Sequence, residues 1–412
     1  MRKPRKLVIV SQHYPPDPTT TASIMANIAE HLAAEVPVLV LSGTSGSATN
    51  PYTPSSFASS RRPAIVEIKN RMPAKAALAR RAIAEALFTF RAFWGVLIRA
   101  RRGDILLTVT TPFMAQYAVV AAAKLKRANA ILVIHDLYPD ALVVAGLLRR
   151  DSFPARMIRG ANARMFRALN AIVIIGRDTE QHLACYGEVT RDKTCFIPNW
   201  ATLVPEVRSK ASDNPYRRLC KGRFVVGLSG NLGFTHDPLV VFEAARLLSS
   251  NPSIHFLLSG WGMGYEKLRV LQSEEQLPNV TLVERVAEEN LEQLLSAADV
   301  WIIPYRKDVA GVSIPSRFYN LLAVGRPVVV VSEPYAEAAL TVTENDIGWV
   351  VMPGRADELA KVLSVASVSL DSSMAERAVA IAKNFNRDRA MSSYVSLIQR
   401  LLRCPEQTEQ TS

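Results

Sequence analysis

The chain has 412 residues, 49% of them apolar and 21% charged, and its 49 Lys and Arg against 37 Asp and Glu give a net charge of +12. These values exclude a disordered chain, and the length suggests two or three domains, each able to bury a core. The four cysteines, Cys185, Cys195, Cys220 and Cys404, show no CxxC spacing, so neither a disulfide framework nor a zinc site is expected and a reducing cytosol fits best.

Behind the basic start, Met1 to Lys6, lies only the short apolar run Leu7 to Val10, too short for the core of a signal peptide and expected instead as the first strand. Further strands are expected at Val38 to Leu41, Ile105 to Val109, Ile131 to Ile134 and Ile172 to Ile175, short β-branched runs bounded by Gly, Pro, Asp or helical patterns. Between them, Ala82 to Ile98 reads as an amphipathic helix with Ile83, Leu87, Phe90, Trp94 and Leu97 on one stripe and Arg80, Arg81, Arg99, Arg101 and Arg102 at its ends. Its most apolar stretch, Ala86 to Ile98, contains Arg91 and is too short to span a bilayer. Residues 61–102 and 149–167 together carry a charge of +14, so the remainder carries about −2 and the basicity belongs to the first half.

After the polar stretch Arg208 to Gly222, strands are expected at Phe224 to Leu228, Ile254 to Leu258, Val280 to Val283, Val300 to Ile303, Val328 to Val331 and Trp349 to Val351, separated by helices such as Leu239 to Leu248 and Leu291 to Ala297. Met374 to Leu402 reads as helical and Pro405 to Ser412 as a polar tail. The fold class is α/β, with two doubly wound, Rossmann-like domains at 1–205 and 206–380 facing across a cleft. Residues 381–412 form a helix and tail that either caps the second domain or packs back on the first.

Ligands of open parallel sheets bind beyond the carboxyl ends of the strands, so the loops there are the candidate site. In the second domain they are Ser229 to Gly233, Ser259 to Gly262, Glu284 to Val286, Pro304 to Arg306 and Gly311 to Arg317. The last leads into a helix expected to open near Pro315 or Ser316, where free N–H groups and Arg317 would attract an anion such as phosphate. No Asp-x-Asp pair and no His/Asp/Glu cluster with metal spacing occurs, so no metal and no cofactor is expected.

Several motifs in this order resemble the family 4 glycosyltransferases, retaining enzymes with the two-Rossmann GT-B fold, and especially the branch that builds bacterial surface polysaccharides of the colanic acid type. They are Ser11-Gln12-His13-Tyr14-Pro15-Pro16, His135-Asp136-Leu137-Tyr138-Pro139-Asp140, Ile197-Pro198-Asn199-Trp200, Gly230-Asn231-Leu232-Gly233, Pro278-Asn279-Val280, Ala298-Asp299-Val300 with Pro304, and Pro315-Ser316-Arg317 running to Gly325-Arg326-Pro327. The resemblance implies a nucleotide-sugar donor in the second domain. Gly260, Trp261, Arg285 and Val286 would lie near the base, Gly230, Asn231, Gly233, Ser313, Ser316 and Arg317 around the diphosphate, and Asn320 at the ribose. It also implies an acceptor in the first domain, with His13, His135, Asp136 and Asp140 on that side and His135 able to polarise a sugar hydroxyl.

The sequence departs from the family at four places. The family's paired glutamates fall on Val312 and Asn320, its lysine near His236, and its first-loop glycines on Thr19-Thr20-Thr21. Arg317 is the substitute for the missing cation, and with His135 it is the expected catalytic residue. Front-face attack, in which the leaving phosphate helps deprotonate the acceptor, tolerates the lost carboxylates.

The basic first half suggests an anionic membrane surface and a polyprenyl-diphosphate-linked saccharide as acceptor, with the protein peripheral on the inner face of the cytoplasmic membrane. Nucleic acid fits poorly, since no reading motif occurs. Two other readings stand beside transfer: a catalytically degenerate nucleotide-sugar-binding protein, motivated by the missing carboxylates, and a nucleotide-sugar epimerase, disfavoured by the lack of an acid/base constellation.

Overall fold

The computed structural model describes residues 4–17, 19–43, 62–70, 78–211 and 213–403. Arg61, Arg71 and Lys75 of the basic segment, Cys404 and the tail Pro405–Ser412 lie outside the described residues. The chain forms two compact units, one of residues 1–139, 151–198 and 388–412, the other of residues 140–150 and 199–387.

The first unit begins with β1 (Leu7–Ser11), α1 (Thr20–Leu32), β2 (Val38–Gly43), β3 (Ala64–Ile68), α2 (Leu78–Arg99), β4 (Ile105–Val109), α3 (Ala115–Lys126) and β5 (Asn129–Ile134). A short helix, α4 (Asp140–Val144), follows β5 but clusters with the second unit, where Val144 packs against the core under Phe318 and Tyr319. The chain then returns to the first unit through α5 (Phe153–Ala168), β6 (Ala171–Ile174), α6 (Thr179–Ala184) and β7 (Thr194–Phe196). The seven strands are all parallel in the order β3-β2-β1-β4-β5-β6-β7. The central strands β1 and β4 are buried along their whole length, which is why they read as unbroken apolar runs.

Two of these strands were not expected. In β3 the edge position leaves Ala64, Ile65 and Glu67 exposed, so no buried run marks it, and β7 is only three residues long. The apolar stripe of the basic helix also differs by one position. Leu97 turns inward against the core with Phe93, and Ile98 takes its place on the outer face, because one residue rotates a side chain by about 100° around a helix.

The second unit contains α7 (Pro215–Arg218), β8 (Phe224–Asn231), α8 (Pro238–Leu247), β9 (Ile254–Trp261), α9 (Met263–Glu275), β10 (Val280–Val283), α10 (Leu291–Ala297), β11 (Val300–Pro304), α11 (Arg317–Ala323), β12 (Val328–Val331), α12 (Glu337–Asn345), β13 (Gly348–Val351), α13 (Ala356–Ser369) and α14 (Ser373–Ala382). Its six parallel strands run β10-β9-β8-β11-β12-β13. Asp237 and Asn214 cap α8 and α7, each followed by a proline at the first helical position, where a missing N–H costs nothing.

The segment Met374 to Leu402 is helical as expected, in two helices with a break between them. Residues 383–386 turn, and the Phe385 carbonyl accepts from Ala201 N at 3.0 Å, which ends α14 before α15 (Arg387–Arg403) starts. From Asp388 onward α15 belongs to the first unit. There Arg5 and Asn129 donate to the carbonyls of Leu402 and Leu401 at 2.9 and 3.4 Å, satisfying acceptors that a helix end leaves open.

Candidate active site at the carboxyl edge of the second sheet

The strand order reverses between β8 and β11, and at such a switch point the loops on either side diverge to leave a crevice. Backbone bonds join the surrounding loops. Beyond β8, Leu232 N donates to Trp261 O at 2.8 Å and Gly264 N donates back to Leu232 O at 2.9 Å, tying the β8 loop to the β9 loop. On the other side, Asp237 N donates to Pro304 O at 2.8 Å and Arg306 N to Thr235 O at 3.0 Å. Ser259 Oγ donates to Glu284 O at 3.2 Å, joining the β9 and β10 ends.

Glycine is required where these loops meet. A Cβ on Gly260 would lie 2.4 Å from Gly230 O, and Gly230 itself has φ of 136°. Gly260→Ala is therefore expected to push the two loops apart, weakening nucleotide binding at least about tenfold and destabilising the fold by about 1 to 3 kcal/mol. Ligand-dependent thermal shift and a urea midpoint read the two effects separately.

The structure brings together Gly230, Asn231, Gly233, Gly260, Trp261, Arg285 and Arg317. The Arg285 guanidinium lies 4.6 Å from the centre of the Trp261 ring, a cation–π contact that fixes both side chains. Arg317 comes over Gly230, its Nε 4.0 Å from where a Cβ would stand, an ordinary contact distance that places the guanidinium beside the loop. Among the described residues Arg317 makes no hydrogen bond and no ion pair, although it is half-buried. Burial pulls its guanidinium below the ordinary value, Glu288 works against that and Arg285 adds to it. The guanidinium stays charged at neutral pH, so this is a partly desolvated cation held beside a glycine loop with all its donors unused.

The helix starts where the sequence places it, and its cap and length limit what it can do. The helix opens at Arg317 with Ser316 as its N-cap, contributes no side-chain cap bond and has only seven residues. Two turns sum few peptide dipoles, so Arg317 itself, rather than the helix end, supplies the positive field. Ser313 and Ser316 are half-buried in the segment that leads into it, and Tyr305 OH donates to Ser313 O at 3.3 Å. Val286 packs against the core beside Val283.

Among the described residues, Asn320, expected at the ribose, has its amide oxygen fully engaged and keeps one N–H of Nδ2 free. Its Oδ1 accepts from Thr202 N at 2.7 Å, Leu203 N at 3.2 Å and Thr202 Oγ1 at 3.2 Å, and its Nδ2 points back to Thr202 Oγ1 at 2.9 Å. A buried amide so engaged holds the 202–203 segment and has no acceptor left for a ligand. Val312 is buried as well, so neither family carboxylate position presents a polar group.

One buried carboxylate near the Val312 loop is not revealed by the sequence. Glu333, just beyond β12, is buried; its Oε1 accepts from Asp308 N at 2.7 Å, anchoring the loop that leads to Val312, and its Oε2 has no partner. No spacing rule marks it, because it reaches that loop from the neighbouring strand.

In the first unit the expected residues lie beyond β1 and β5. His135 follows β5, and Thr110 Oγ1, beyond β4, accepts from the backbone N–H groups of His135 and Asp136 at 3.2 Å each. The His135 Nε2 is buried without a partner, and burial pushes the imidazole down to about 4, so it is neutral at pH 7. Gln12 beside β1 is also buried with both amide atoms unpartnered. His13 Nδ1 pairs with Asp17 Oδ2 at 2.6 Å; burial favours a protonated Asp17, but His13 and Thr19 together hold its carboxyl below the usual range. Thr19 caps α1 through Ala22 N at 3.3 Å, so the threonines standing at the glycine positions are spent on a helix start. Asp140 opens α4 and clusters with the second unit.

His236, at the family's lysine position, is pushed to about 4 by burial and by Arg306, as is His255 by burial and by Arg223 and Lys221. With His135 they give a pH dependence whose sign follows from linkage. Each folded-state value lies below the unfolded value near 6.5, so the unfolded chain takes up protons first as pH falls. Stability is expected to be level above about pH 7 and to fall between about pH 6.5 and 4 by up to about 3 kcal/mol for each of the three histidines, less for the more accessible ones. Denaturant midpoints across that range check it. Among the described residues, no group of three or more His, Cys, Asp or Glu could hold a metal ion.

Residues 19–200 match the family described as "Glycosyl transferase 4-like domain" and residues 215–385 the family "Glycosyl transferases group 1". The chain belongs to the family 4 glycosyltransferases, with the GT-B fold. It is 26% identical over 311 residues to WbjE of Pseudomonas aeruginosa, provisionally named a glycosyltransferase, covering 74% of this chain and 76% of that one. To WcaI of Escherichia coli strain K12, provisionally named a colanic acid biosynthesis glycosyl transferase, it is 24% identical, over 61% of this chain and 63% of that one. Similar solved structures are sucrose-phosphate synthase of Thermosynechococcus elongatus (TM-score 0.71, 16% identity, 96% and 99% of the two chains) and Anabaena HepE in complex with UDP (TM-score 0.67, 14% identity, 96% and 100%).

Proposed function

We propose that this protein is a retaining hexosyl or deoxyhexosyl transferase that moves a sugar from a nucleotide-diphosphate donor to a lipid-linked or saccharide acceptor in bacterial surface polysaccharide synthesis. The observation that carries this reading is the unpaired, half-buried Arg317 beside the glycine loop at 230. The difficulty in glycosyl transfer is the departing diphosphate, and a preorganised cation stabilises charge that develops there. Trp261 and Arg285 offer a flat, cationic platform suited to a nucleobase, and HepE, of the same fold, has been solved with UDP and with UDP-glucose.

In the first unit a neutral His135 can donate or accept a hydrogen bond at a sugar hydroxyl without supplying charge. Front-face attack, with the leaving phosphate taking the acceptor proton, needs no protein carboxylate at Val312 or Asn320. One of the two relatives is named for colanic acid biosynthesis, which supports the polysaccharide role.

A panel of UDP, GDP and dTDP in a thermal-shift assay, followed by transfer from the matching radiolabelled sugar nucleotides, tests the proposal. No nucleotide shift at all would sink it. The buried Val312 and the engaged Asn320 favour a second reading, a nucleotide-sugar-binding protein without turnover. A shift without transfer or hydrolysis across the donor panel would select that one.

A further inference from the structure

We infer that the outward face of α2 is a docking surface by which the protein lies on an anionic lipid bilayer, a step that rests on the proposed lipid-linked acceptor. The helix has 22 residues, about 33 Å at 1.5 Å per residue. Phe88, Ala92 and Val96 are buried in the core of the first unit, against α3 and the strands. On the opposite side Ile83, Leu87, Phe90, Trp94 and Ile98 are 46% to 73% exposed. At 100° per residue these five fall within an arc of about 80°, so they form one continuous apolar stripe.

A stripe of five large apolar side chains facing water is costly unless something covers it. Charge identifies the occupant. Arg80, Arg91, Arg101 and Arg102 are exposed on and beside the helix, and Glu85 is the acid within it. The arginines suit phosphate headgroups, while Phe90 and Trp94, in edge-to-face contact at 6.3 Å, suit the boundary between headgroups and acyl chains. In the same helical layer, α5 exposes Phe153, Arg156 and Met157. Among the described residues no helix is long and apolar enough to cross a membrane, so α2 lies on the surface.

The test is co-sedimentation of the full chain with vesicles of phosphatidylcholine alone or with phosphatidylglycerol, beside the nucleotide thermal shift. Wild type is expected to bind the anionic vesicles at least tenfold more tightly, and binding should fall at least tenfold as salt rises from about 0.05 M to about 0.5 M. Phe90→Ser with Trp94→Ser should lower anionic-vesicle affinity at least tenfold, and Arg80→Glu with Arg91→Glu should do the same, both with an unaltered nucleotide shift. Brominated acyl chains should quench fluorescence of wild type but much less that of Trp94→Phe, a variant that still binds.

Unchanged vesicle binding in both double variants overturns the inference, as does a wild-type dimer in solution that the Phe90/Trp94 variant loses, which would assign the stripe to a second copy. Vesicle binding by a wild type that shows no nucleotide shift would instead keep the docking surface and defeat the transferase reading.

Discussion

Arg317→Ala is expected to lower sugar transfer roughly a hundredfold to a thousandfold, the effect of removing one donor from a water-poor site where negative charge develops, about 3 to 4 kcal/mol of barrier. Stability should move the other way. Arg317 is half-buried with no hydrogen bond or ion pair among the described residues, so only the longer-range pull of Glu288 offsets its desolvation, and Arg285 opposes it. The alanine variant is therefore expected to keep its denaturant midpoint or raise it by up to about 1 kcal/mol. Arg317→Lys should recover part of the rate, because it restores the charge but not the planar fork. A variant that loses stability and activity in parallel would mean that Arg317 is structural. Unaltered transfer would mean that the diphosphate is held elsewhere.

Arg326, nine residues further on, is expected to give the largest stability effect. It is 1% exposed, and its three nitrogens donate to five carbonyls: Ala298 at 2.8 Å, Ser296 at 2.9 Å, Arg208 at 3.0 Å, Gly325 at 3.1 Å and Val324 at 3.2 Å. Burial lowers its guanidinium to about 10, against the pull of Asp299, so it remains charged in the core at neutral pH. Arg326→Ala leaves a cavity and several buried acceptors without a donor, at a cost of about 3 to 5 kcal/mol. Arg326→Lys should rescue little, since one ammonium cannot span acceptors on two sides of a guanidinium plane. Urea unfolding with an unchanged slope and a lower midpoint would be the expected result. A loss under about 1 kcal/mol would show that water replaces the side chain.

Two arginines in one stretch thus have opposite tasks, and the sequence does not separate them. Both follow small or polar residues near a helix boundary, and only the packing shows that Arg326 points into carbonyls while Arg317 points at a glycine loop. The same holds for Asn320, whose place in the family motif suggested a ligand but whose amide is taken up by Thr202 and Leu203. These two residues are more than a hundred positions away along the chain. No local pattern carries such a contact.

Other features were legible because their physics is local. All six strands of the second sheet show as short apolar runs, most plainly β11 and β12, which are buried along their whole length, since a parallel strand buried on both faces has to be apolar throughout. The exposed edge strand β3 and the short β7 have no such signal. Gly230 and Gly260 could be singled out as loop glycines, but not that each is needed because of the other.

The sequence by itself determined the two doubly wound domains, the family, the loops that could hold a ligand and the basic first half, because strand periodicity, glycine placement and charge are written residue by residue. Tertiary structure alone decided which arginine is left unpaired, that Glu333 rather than a family glutamate is the buried carboxylate near Val312, that α4 joins the second unit and α15 the first, and that Ile98 rather than Leu97 completes the outer stripe of α2. Those outcomes depend on desolvation and on contacts between distant residues, which exist only once the chain has packed.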